Sequence, residues 1–243
     1  MAEESKNIKR VWDFSDLALV FFMFGTLLVL IIPVHQVVMD MLLGVSLALA
    51  LLILLVILFI KNPSDFTGFP TLLLIFTLYR LGLNVATTRL ILSEANAGEL
   101  IDAFGEIVVS GSFVVGIVIF LILTVINFVV ITKGAGRIAE VAARFTLDAM
   151  PGKQLSIDAE LDKGHITVED AIDKRRSLQQ EADFYGAMDG ASKFVRGDAI
   201  AAILVTLVNI VGGLAIGVFE NGMPVLEALQ TYTRLTIGDG LLS

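Results

Sequence analysis

A handful of charged and amide side chains sit where an oily chain carries few. Arg80, Asn84, Thr87 and Thr88 fall at helical spacings of three and four, so they form one polar stripe on the otherwise apolar segment 69–92. Arg89, nine positions after Arg80, points to the opposite side of that helix at about 100° per residue. An arginine at membrane depth costs roughly 2.5–3.5 kcal/mol on insertion scales and is held by protein or water. The stripe therefore either makes one buried structural pair, with Arg89 reaching the outer interface, or lines an oligomer interior or conduit. Asp198 closes Lys193-Phe-Val-Arg196-Gly-Asp198, just ahead of an apolar run. As a helix N-cap it is favoured as the anion by the helix dipole and by Arg196 or Lys193, while desolvation at a bilayer edge favours the neutral acid. A plain cap paired with arginine is the bland alternative to a proton-responsive group. Asp239, between Gly238 and Gly240 in an apolar run, must titrate, pair, or mark a broken helix.

Other chemistries fail on spacing. Asp158, Glu160, Asp162 and Glu169 match positions of a calcium loop, but Lys163 stands where the turn needs glycine and Gly164 comes one place late. Gly134-Ala-Gly136 lacks the strand and third glycine of a dinucleotide fingerprint, and Pro151-Gly-Lys153-Gln154 lacks the rest of a phosphate loop. His35 and His165 have no companion ligands, and no nucleophile stands beside a base. The expectation is a protein that is not an enzyme and needs no cofactor or metal. The net charge of −8 argues against nucleic acid, and the absence of cysteine removes disulfides and thiolate sites.

The elements that must position these groups are membrane spans. Of 243 residues, 56% are hydrophobic and 17% charged, an integral-membrane balance. Spans are predicted at 17–32, 41–60, 69–92, 114–131 and 200–219, with Trp12 and Phe14 as an aromatic anchor before the first. The long segment 133–198 holds ten of the seventeen basic residues, and 93–113 holds none. By the positive-inside rule, the amino terminus and 133–198 are cytoplasmic, and 93–113 and 220–227 face outward. The predicted architecture is all-α: spans in 1–132, a small helical cytoplasmic subdomain in 133–198, then a fifth span and the start of a sixth apolar segment in 199–243. Within the subdomain, Met150-Pro151-Gly152 is expected to break an amphipathic helix, and Thr167 to cap the next. Asn127 and Asn209, mid-span, are expected to hydrogen-bond between helices, and Gly212, Gly213 and Gly217 to permit close helix contact. The apolar run from Leu235 stops after nine residues, which suggests a piece of a longer protein or a segment lying in the interface.

Four ordered stretches carry a resemblance. Arg80-Leu-Gly-Leu-Asn84-Val-Ala-Thr-Thr-Arg89, the segment 143–154 with Asp148, Pro151 and Lys153, the segment 181–200 with Lys193, Arg196 and Asp198, and Thr231-Tyr-Thr-Arg-Leu-Thr-Ile-Gly-Asp239-Gly resemble the export-gate family of type III secretion (FHIPEP), and most closely its flagellar branch. The resemblance implies about eight spans followed by a large cytoplasmic domain that docks chaperone–substrate complexes. It also implies a nonameric ring in the bacterial inner membrane, beside other export-gate membrane proteins and the export ATPase complex, using the proton-motive force to move unfolded proteins. On that footing Asp198, Asp239 and Asp148 are the proton-coupling candidates. Arg80, Arg89, Lys193, Arg196 and Asn84 are their charge partners or line the path. Arg234 departs from the pattern by placing a charge where an apolar residue is expected. The rival readings are a stand-alone proton- or ion-coupled secondary transporter, suggested by the intramembrane arginines, and a passive scaffold.

Overall fold

Residues 14–60, 64, 66–109 and 112–242 are described by the computed structural model. Trp12, expected above to anchor the first span, and the basic residues Lys6, Lys9, Arg10 and Lys61, which bear on the expected orientation, lie outside them. The described residues form helices and no strand: α1 (Phe14–Ile31), α2 (Gln36–Phe59), α3 (Phe69–Glu94), α4 (Glu99–Val109), α5 (Phe113–Asn127), α6 (Gly136–Asp162), α7 (Val168–Phe219) and α8 (Val225–Leu242). A π-helical stretch, Phe128–Ala135, joins α5 to α6, so the chain is helical without interruption from Phe113 to Asp162. Among the described residues, four helices are long and apolar enough to cross a membrane: α2, α3, the 50-residue helix through α5 and α6, and the 52-residue α7. The apolar part of α1, Leu19–Ile31, is shorter. This is the all-α membrane bundle that the composition calls for.

Three local expectations need correction. Pro151 does not end its helix; α6 runs through it. A mid-helix proline forfeits a backbone hydrogen bond and costs about 3 kcal/mol. The packing of Met150 and Ile157 with Ala171 and Leu178 on α7 offsets that cost. The segment 93–113, expected above as a connection between two spans, is itself helical, because α4 occupies it and buries Ile101 completely. Its start is fixed from α2: both oxygens of the Asp40 carboxylate accept backbone N–H groups, of Glu99 at 3.0 Å and of Leu100 at 3.1 Å. Gly98, at φ +111°, passes so close to that carboxylate that a Cβ would overlap it. Finally, α7 has no break near 198. The polar half of the helix continues directly into the apolar half.

The core gathers α2, α3, α4 and α8 around Met39, Leu83, Ile91, Ile101 and Tyr232, with α7 packed against α3 and α8. Two glycine contacts set the spacing. On α7, Gly213 and Gly217 receive Tyr232 and Ala228 of α8, which names the partner that the small-residue spacing left open. On α8, Gly238 rests against the backbone carbonyl of Ile101, and on α4 Gly105 rests against that of Arg234, so the two backbones cross in contact. Arg234 itself, the unexpected charge, lies 3.3 Å from Asp102 of α4.

The polar halves of α6 and α7 form a hairpin outside the apolar spans. Ion pairs join them: Lys153–Glu181 at 2.9 Å, Lys174–Glu160 at 2.6 Å and Arg175–Asp158. A reciprocal cap opens α7: the Asp170 N–H donates to the Thr167 hydroxyl at 3.1 Å, and the Thr167 N–H donates to the Asp170 carboxylate at 3.2 Å. Hydrogen bonds from Thr167 hold the Asp170 carboxyl below its usual range, and Lys174 does the same for Glu160. A carboxyl depressed in the folded state stabilises it above the ordinary carboxyl pKa of about 4, and that contribution disappears as pH falls through the lowered value. Thr167→Ala should therefore weaken the hairpin at neutral pH and flatten its acid dependence. Circular dichroism melts between neutral and acid pH read both effects, and a variant whose acid dependence matches the parent's would contradict the cap.

Candidate functional site

The charged groups singled out by spacing sort onto different neighbours. Arg80 of α3 turns to α7, where its guanidinium Nη1 lies 3.8 Å from Asp198 Oδ2. Arg89 turns to α1 and donates to the carbonyls of Ile31 at 3.0 Å and Leu30 at 3.3 Å, at the carboxyl end where a helix dipole attracts a cation. Asn84, between them, is buried, and its backbone carbonyl accepts the Thr87 hydroxyl at 3.1 Å and the Thr88 hydroxyl at 2.7 Å.

Asp198 is not a helix cap. It lies inside α7 and is 7% exposed, so the N-terminal dipole offers it nothing and its counter-charge comes from α3. Nor do its sequence neighbours tune it directly. Lys193 pairs one turn back with Asp189 at 2.7 Å, and Arg196 lies over Gly136 at the start of α6, its Nε without a partner among the described residues. One carboxylate oxygen of Asp198, Oδ1, is buried and likewise unpartnered.

That pair faces a cavity of about 490 Å³ between α5, α7 and the end of α8. Its walls are mainly apolar, from Phe120, Leu123 and Ile203, with Thr124, Asn127 and Thr206 as polar points. Gly240 closes one side; Asp239, the residue before it, turns away from the cavity to the Thr87 hydroxyl of α3. Asp239 is 5% exposed, and its Oδ1 has no hydrogen-bond partner among the described residues. Asp148 is exposed on α6 and does not line the cavity. The structure therefore brings together Arg80 and Asp198, and sets Asp239 next to the cavity that holds them. It leaves Asp148, Lys193 and Arg89 elsewhere.

The two mid-span asparagines also part company. Asn127 lines the cavity, whereas Asn209 is fully buried with neither amide atom partnered among the described residues, so the expected interhelix bond is not made. Sequence reasoning passed over Asp40 and its hold on α4; an aspartate one turn into an apolar helix was the available signal. Chemically, the arrangement is an ion pair on facing helices, with a buried and unpartnered carboxylate oxygen, beside a roomy and mostly apolar space. It can exchange a proton or shift its pairing, and it holds no nucleophile.

The FHIPEP family model matches residues 26–243. The chain is similar to the flagellar biosynthesis protein FlhA of Caulobacter vibrioides, 55% identical over 224 residues that make up 90% of this chain and 32% of the relative. The FlhA of Helicobacter pylori is 54% identical over 239 residues, 96% of this chain and 33% of the relative. The low calcium response locus protein D of Yersinia pestis is 45% identical over 236 residues, 97% of this chain and 34% of the relative. The chain thus spans about a third of the length of the curated relatives it matches. No solved structure matches it.

Proposed function

The chain belongs to the FHIPEP family, and from that membership we propose that it is the membrane part of a flagellar type III protein export gate, using the proton-motive force to drive export of unfolded flagellar proteins. The observation that carries the coupling is the Arg80–Asp198 pair, an ion pair between two membrane helices beside a cavity. Protonating Asp198 removes the charge that attracts the Arg80 guanidinium and so weakens one link between α3 and α7, which lets one proton alter the packing of two long helices. Asp239 is the second proton-responsive group, at the far side of Gly240. In this reading the protein is multi-pass in the bacterial inner membrane with its amino terminus and the α6–α7 hairpin in the cytoplasm. It works as a homo-oligomeric, nonameric ring beside other gate membrane proteins. Chaperone–substrate complexes and the export ATPase complex are met through a large cytoplasmic domain.

The test is a graft. In a Caulobacter vibrioides strain lacking its own FlhA, the matching membrane segment of that protein is replaced by this chain. Swimming in soft agar should be restored. A graft that reaches the membrane at parental levels yet leaves the cells immotile would overturn the reading, and solute accumulation by the purified protomer in vesicles would favour a stand-alone transporter instead.

A further inference from the structure

Asn209 is the most deeply buried polar side chain of α7, at 0% exposure, and its amide oxygen and nitrogen both lack a partner among the described residues. Leaving a buried amide unsatisfied is costly, and buried polar atoms without a protein partner are ordinarily satisfied by ordered water. The helix register shows what surrounds it. One turn along α7, Gly213 receives the ring of Tyr232, so one turn along α8 in the opposing direction Thr236 comes level with Asn209. Tyr232, Thr236 and Asp239 follow one another at i, i+4 and i+7, a single face of α8, and all three are buried. On the third helix Thr87, fully buried, stands at Asp239. Three residues before Asn209, Thr206 reaches the cavity wall, as Gly240 does one residue after Asp239.

We propose that the α3–α7–α8 junction is an internal water-binding site, in which ordered water is held by the Asn209 amide and the Asp239 carboxyl, next to the cavity of Asp198. The donor and acceptor count closes. A water donates to Asn209 Oδ1 and to Asp239 Oδ1 and accepts from Asn209 Nδ2, which serves every orphaned atom of the two side chains. The Thr236 hydroxyl is already committed as a donor to the carbonyl of Tyr232, and the single hydrogen of the Thr87 hydroxyl is divided between the carbonyl of Asn84 and the Asp239 carboxylate, so neither threonine serves the orphaned Oδ1. Asn209 is then a positioning residue: it holds the water that partners Asp239. The site rests on packing and hydrogen-bond accounting alone and is independent of the export reading.

Infrared spectroscopy of the chain in lipid nanodiscs tests it. The wild-type chain should show a sharp water O–H band that shifts when bulk water is exchanged for oxygen-18 water. Asn209→Leu should lose that band, whereas Asn209→Ser, which keeps a hydroxyl, should move it. The sign of the stability change is a second reading. If water satisfies Asn209, the leucine displaces it, strands Asp239, and lowers the thermal midpoint. A midpoint that rises, because two orphaned atoms have been removed from a dry core, overturns the proposal. So does a wild-type spectrum without an isotope-sensitive band, an outcome that needs no variant to fold.

Discussion

Asp198→Asn in the grafted gate is expected to abolish swimming while the protein still inserts and accumulates in the membrane. Asparagine keeps the size and shape of the side chain and removes the charge and the exchangeable proton. The Arg80 guanidinium 3.8 Å away then faces an amide instead of a carboxylate. Asp198 is buried but the Arg80 side chain is partly exposed, so removing the carboxylate costs less than the loss of one partner from a fully buried pair, yet it still leaves a charge behind, and loss of function by the single variant has two explanations. The double variant Arg80→Gln/Asp198→Asn separates them. With both charges gone the stranded-charge penalty disappears, and a pair that merely glued α3 to α7 would be dispensable. Cells carrying the double variant should remain immotile, because the carboxyl that the proposed coupling requires is still missing. Asp198→Glu, which retains it on a longer arm, should recover part of the swimming halo. Restoration by the double variant would reduce the pair to a structural contact.

The second large effect lies at the crossing of α4 and α8. Gly238→Val should sharply lower the thermal midpoint of the purified chain, because a side chain there meets the carbonyl of Ile101, and backbone cannot turn aside as a side chain can. Overpacking a core costs about 1–3 kcal/mol, with more expected against a main-chain wall, out of a total stability of ~5–15 kcal/mol. Gly190→Ala is the control. Nothing lies within 4 Å of a Cβ built at Gly190 on α7, so alanine should raise helix stability by about 0.5–1 kcal/mol. Equal midpoints for Gly238→Val and the parent would mean that the two helices do not cross at this point.

Residue type and spacing already contained much of this arrangement. The nine-residue interval between Arg80 and Arg89 sends one to α7 and the other to α1. Asp198 stood out because a carboxylate borders an apolar run, yet its assigned role as a cap was misplaced. The polar-to-apolar change at 198 looks like a helix start, but Gly190 and Gly197 lower helix propensity without breaking the chain, and no proline intervenes. Pro151 misled in the opposite direction, since a breaker was outvoted by side chains from another helix. The pairing of α4 with α8 was illegible for a different reason. It joins segments more than a hundred residues apart, and no local pattern in 99–109 says that its glycine fits against the main chain around residue 234. Likewise, which buried amide lacks a partner is a property of three helices together, so Asn209 read as an ordinary interhelix bond.

Because α7 is one piece, whatever happens at its tip is mechanically present at its root. From Thr167 to Asp198 the helix rises about 45 Å at 1.5 Å per residue, with no hinge along the way. A stiff shaft of this kind passes on twist and axial thrust, whereas a tethered domain would dissipate them in its linker. The antiparallel companion is built differently: its π-helical stretch at Phe128–Ala135 supplies an irregular joint, beside Arg196, and Pro151 interrupts its hydrogen bonding further on. The pair thus sets an unbroken shaft alongside a strut with a knuckle.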